Sequence, residues 1–93
     1  MAMMGTFSAT IVRYVVLTPV GARLFEADTP EAIVDYLDRV HGPGTLEWNS
    51  EPHGIVARDR KNGMHICTVT ADIQLDLDGR PIGKILEGRH FPL

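Results

Sequence analysis

Residues 64–77, Met-His-Ile-Cys-Thr-Val-Thr-Ala-Asp-Ile-Gln-Leu-Asp-Leu, constrain this chain more than any other stretch. From Cys67 through Val69, Ala71, Ile73 and Leu75 to Leu77 the odd positions are apolar. The even positions from Thr68 through Thr70, Asp72 and Gln74 to Asp76 are polar. A period of two is the pattern of a strand with one buried face and one wet face. Such a strand needs neighbours for its backbone hydrogen bonds and an apolar layer for its odd face.

The flanking sequence supplies both. Residues 8–18 are dense in β-branched and aromatic side chains and are apolar on both sides around Tyr14–Leu17, which predicts an interior strand. Thr18-Pro19-Val20-Gly21 is a turn with proline presetting φ and glycine at its fourth position, and residues 22–27 return as a second strand. A helix over about 29–41 follows. Asp28 or Thr29 caps it, Pro30 occupies its first turn, and Ile33, Val34, Leu37 and Val40 form one apolar stripe. Gly42 suits a left-handed cap and Pro43 forbids continuation. Short strands are expected at 45–49 and 55–59, and Asn62-Gly63 is a hairpin signal leading into residues 64–77. Asp78-Gly79 is a second such signal, after which Arg80–Leu86 is expected to pair back as an edge strand limited by Pro81.

The predicted fold is therefore α+β: a single, largely antiparallel sheet in the order β-β-α-β-β-β-β with the one helix packed on one face. Ninety-three residues with 44% apolar content are read as a single domain over 1–93, with 1–6 and 88–93 as flexible ends. One helix cannot cover both faces of the sheet, and the polar even face of 68–76 suits the uncovered side. Fourteen extended residues span about 46 Å, whereas a compact domain of this length is roughly 32 Å across. Either the strand bends near Ala71 and Asp72, or it projects as an arm carrying Ile73, Leu75 and Leu77 on one face. Such an arm needs cover, which predicts a homodimer or another protein partner.

Composition narrows the function classes. A net charge of −3 and no basic face interleaved with aromatics argue against nucleic acid. Nothing approaches the roughly 18 consecutive apolar residues of a membrane span. The first residues lack a basic n-region and an apolar h-region, and the single Cys67 excludes an internal disulfide. The expected setting is cytoplasmic. Charge is uneven, however: Glu26, Asp28, Glu31, Asp35, Asp38, Glu47 and Glu51 face only Arg39 across that segment. Glu31, Asp35 and Asp38 recur at i, i+4 and i+7, an acidic ridge on the helix's outer side.

His65 and Cys67, two apart in a strand, are expected to share a face. Together with a loop histidine (His41, His53 or His90) they are the weak candidates for a metal site, but a zinc site wants four ligands and no paired motif completes the set. As nucleophile and base they lack an orienting third group. In the calcium-loop register set by Asp76, Asp78 and Gly79, the first ligand position is Gln74 and the twelfth Ile85, so Asp72 and Glu87 find no place in it. No cofactor is indicated. The favoured reading is a small non-enzymatic protein-binding or regulatory domain, of the kind that includes accessory subunits and inhibitors, a phage-type inhibitor of a bacterial complex among them. Its expected contacts are Glu31, Asp35, Asp38, Trp48, Ile73, Leu75 and Leu77. The alternative is a small enzyme or metal- or ligand-binding domain using His65 and Cys67 with a loop histidine.

Overall fold

A computed structural model of the chain describes residues 11–73 and 81–93. β1 (Ile11–Leu17) and β2 (Arg23–Ala27) form a hairpin. It closes on a turn in which the Gly21 N–H donates to the Thr18 carbonyl at 2.8 Å. The helix α1 (Pro30–His41) follows, and then a meander of β3 (Leu46–Glu51), β4 (Gly54–Asp59) and β5 (His65–Ile73). A short helix α2 (Ile82–Glu87) comes last. The sheet has five strands in the order β2-β1-β5-β4-β3, and every pairing is antiparallel. β5, the strand of the alternating stretch, is the middle of the sheet. The architecture is α+β, as the alternation and hairpin signals predict.

α1 begins and ends where its sequence says. The Thr29 side chain accepts from the Ala32 N–H at 3.2 Å, Pro30 opens the helix, and Gly42 at φ 93° closes it by donating to the Asp38 carbonyl at 2.8 Å. The left-handed φ at Gly42 is what a residue without Cβ adopts at little cost. Ile33 and Leu37 are fully buried. Val40, expected beside them, is 55% exposed. Tyr36 joins the packing instead, stacked on Phe25 of β2 with ring centroids 4.0 Å apart.

One face of the sheet carries Phe25 and Ala27, Tyr14 and Val16, Cys67, Val69 and Ala71, Ile55 and Ala57, and Leu46 and Trp48, as the strand register requires. α1 lies over β1 and β2, while α2 lies over β4, β3 and β5. Ile33, Leu37, Leu86 and Phe91 complete this core.

Within the segment expected as a strand at Arg80–Leu86, residues from Ile82 onward form a helix instead, and Arg80 lies outside the described residues. Ile82, Ile85 and Leu86 fall at i, i+3 and i+4, the spacing of a helix face. Pro81, at φ −58°, starts the turn and its carbonyl accepts from Lys84 and Ile85 at 3.1 and 3.2 Å. Gly83 makes the docking possible, since a Cβ there would collide with the Glu51 carbonyl. The residues after α2 do not hang free either. Phe91 is only 7% exposed, edge-on to Tyr14 at 5.8 Å and tilted against Trp48 at 6.1 Å. Burying such a ring contributes roughly 1.5–3 kcal/mol, enough to hold the last residues down.

The face opposite the helices is not simply wet. Val15 is 0% exposed, Val56 1% and Thr68 5%, while Arg13, Glu26 and Asn49 around them remain exposed. β5 as described spans nine residues, about 30 Å. Leu75, Leu77 and the Asp78-Gly79 signal lie outside the described residues.

Candidate functional site

His65 and Cys67 do not share a face. β4 residues Ala57 and Arg58 are consecutive, but they pair with Cys67 and His65, which are separated by Ile66. This one-residue bulge breaks the alternation between them. Cys67 turns into the core, fully buried, and burial pushes its thiol up to about 11. A thiol so placed behaves as a small hydrophobe and not as a nucleophile. His65 turns to the other side, where its Nε2 shares a 2.9 Å hydrogen bond with Thr68 Oγ1. The loop histidines are also dispersed: His41 ends α1, His53 is exposed in the β3–β4 turn, and His90 Nδ1 lies 3.8 Å from Glu31 Oε2. Among the described residues, no three His, Cys, Asp or Glu side chains are grouped to hold one ion. Asp72 is engaged by Arg23, and Glu87 by Lys84 at 3.6 Å.

The sheet face opposite the helices is laced with ion pairs. Arg13 meets Glu26 at 2.8 Å, Arg23 meets the second oxygen of Glu26 at 2.8 Å, and Arg23 also reaches Asp72 on β5 at 3.1 Å. The side-chain hydrogen bonds from Arg23 and then Arg13 hold the Glu26 carboxyl below its usual range, and hydrogen bonding to Glu26 raises both arginines. Val15 lies between Glu26 and Thr70 in the register. A side chain running from β2 to Asp72 on β5 therefore has to pass across β1 beside Val15. On the other half of the sheet Arg58 reaches Glu51 at 2.9 Å, past Val56 and its partner Asn49. Arginine side chains that cross the sheet in this way can lay their aliphatic stems over apolar neighbours.

The acidic ridge differs. Glu31 and Asp35 are exposed and Asp38 is half-buried on the outer side of α1. Their only ion pair among the described residues is the loose approach of His90 to Glu31, because Asp35 and Arg39, although four apart, make no bridge. Of the other expected contact residues, Trp48 is a core side chain, 9% exposed, and is not available as a surface anchor. Ile73 is half-buried and paired with Ile11, next to a second bulge at Val12. Leu75 and Leu77 fall outside the described residues.

A recess that sequence reasoning missed lies at the end of the sheet where α1 finishes. His41, Gly44, Thr45, Leu46, Asp59, Arg60, Lys61 and Ile66 line about 260 Å³. Two loops form it. Arg60 ties them together, donating from Nε to the Gly44 carbonyl at 3.2 Å and from Nη2 to the Leu46 carbonyl at 3.0 Å. Asp59 Oδ1 accepts from the Lys61 and Asn62 N–H groups at 2.8 and 3.4 Å and shapes the second loop. Both loops were legible as Gly-Pro-Gly and Asn-Gly segments. No local signal says that they meet.

No family model, no curated protein and no solved structure matches the chain.

Proposed function

We propose that this chain is a non-catalytic protein-binding domain that presents the outer side of α1 to a partner with a basic surface. One observation carries the reading: Glu26, Glu51 and Asp72 of the sheet are matched to arginines, whereas among the described residues Glu31 of α1 has only His90 at 3.8 Å and Asp35 and Asp38 have no ion pair. Like charges at i and i+4 on a helix disfavour it by about 0.2–0.5 kcal/mol per pair. Glu31 and Asp35 bear that cost in the free chain, and a basic partner relieves it. Complementary charge also speeds encounter and excludes like-charged partners. Two ridges repel each other, so the partner through this face is a different chain and not a second copy.

The alternative built on His65 and Cys67 loses its geometric basis, since the bulge at Ile66 directs them to opposite sides. The test compares capture by the wild-type chain and by the triple variant Glu31→Lys, Asp35→Lys, Asp38→Lys, with thermal unfolding as the control for folding. A partner that is retained by the wild type, released by salt and lost on charge reversal supports the reading. Equal capture by both chains overturns it.

A further inference from the structure

We propose that the recess between the α1–β3 loop and the β4–β5 loop binds a small organic monoanion, a compact apolar or aromatic group carrying one carboxylate. The site lies apart from the acidic ridge and does not depend on it.

Its inner wall is apolar, from Leu46 and Ile66. Ile66 is the bulge residue of β5, the one side chain there without a partner on β4, and the extra residue re-aims it at the recess. The rim is cationic: Arg60 and Lys61 stand against the single carboxylate of Asp59, with the His41 ring beside them. That carboxylate already accepts two backbone N–H groups from its own loop. Lys61 is exposed and makes no ion pair among the described residues. Arg60 is held in place by the Gly44 and Leu46 carbonyls, so its guanidinium is oriented before any ligand arrives. The N–H groups those two bonds leave over form the planar fork that matches a carboxylate.

Size and field select within the anions. The volume of about 260 Å³ is at the low end for ligand pockets and holds about nine water volumes at roughly 30 Å³ each, which suits a ligand of benzoate's size. The negative end of the α1 dipole and Asp59 offset part of the positive rim. A single negative charge gains from Arg60 and Lys61, whereas a dianion meets those carbonyls and Asp59 at greater cost.

The experiment is a titration of the isotopically labelled full chain, followed by amide chemical shifts, with benzoate, benzyl alcohol and phenyl phosphate. A ligand of this size is expected to bind with a Kd on the order of 1 mM. Benzoate should produce saturable shifts confined to Leu46, Ile66, Lys61 and their neighbours, and benzyl alcohol should bind at least about tenfold more weakly. Lys61→Gln, a change at an exposed loop position, should weaken benzoate about threefold to fivefold and leave the spectrum elsewhere unchanged. Absence of saturation at about ten times that concentration overturns the proposal. So do shifts spread over all surface cations and indifferent to Lys61→Gln. Benzyl alcohol binding as well as benzoate, or phenyl phosphate binding more than about tenfold better, overturns the monoanion assignment.

Discussion

The two faces of the sheet are closed by different chemistry. On one, α1, α2 and Phe91 lay aliphatic and aromatic side chains over Tyr14, Val16, Ile55, Cys67 and Val69. On the other, Val15 and Val56 are buried as deeply, yet their described neighbours are threonines and salt-bridged arginine, glutamate and aspartate side chains. The first kind of cover depends on area removed from water and is nearly indifferent to salt and pH. The second keeps charges at the surface, so its strength depends on ionisation and screening. Chemistry confined to the first face is silenced, as the Cys67 thiol is. Chemistry on the second stays accessible to solvent.

The sharpest way to break that contrast is the thiol. Cys67, held up to about 11 from an ordinary value near 9, should react with a disulfide reagent at pH 8 about a hundredfold more slowly in the native chain than in urea. Because the folded-state value is raised, its contribution to stability is intact below the unfolded value and is lost as pH rises through about 11. Rapid native-state labelling would place Cys67 at an accessible edge.

The next test removes the C-terminal cover. Phe91→Ala should cost about 3–5 kcal/mol in urea denaturation, the range for emptying an aromatic core site. A change below about 0.5 kcal/mol, the level of an ordinary surface substitution, would mean that residues 88–93 do not help close the first face. Between the faces, Val15→Ala and Val16→Ala should each cost roughly 1–3 kcal/mol, and their near equality is the measurement that matters. If Val15→Ala were nearly neutral, the second face would not hold a real apolar centre.

The smallest effect lies in the ion pairs. Glu26 titrates below its ordinary value near 4.5 because Arg23 and Arg13 donate to it. A lowered folded-state value means stability that is present above about 4.5 and is lost as pH falls through the lower value. Glu26→Gln should therefore flatten the acid limb of the stability profile slightly, and high salt should shrink the difference. An unchanged acid limb would show that the network contributes nothing to closing this face.

Much of this molecule was legible before its coordinates, and the misses share a cause. β1, β2, α1 and β5 followed from alternation, capping and turn residues, because each of those signals acts over a few neighbours. The strand expected at Arg80–Leu86 rests on the Asp78-Gly79 hairpin signal, with Pro81 limiting it to an edge. The helical spacing of Ile82, Ile85 and Leu86 is only one turn long and becomes decisive only when Gly83 meets the Glu51 backbone. Trp48, expected as a partner contact, lies in the core because Phe91, distant in sequence, packs against it.

By itself, the amino-acid sequence determined that this chain builds an antiparallel sheet around residues 65–73 with a capped amphipathic helix over 30–41. Periodicity and capping are local physics, written in residues within a turn or two of each other. Only the tertiary structure decided which functional groups meet. A single unpaired residue, Ile66, sends His65 and Cys67 to opposite faces, and two loops distant in sequence are pinned by Arg60 into one recess. Bulges and loop contacts arise from pairing between distant segments, and no local pattern encodes them.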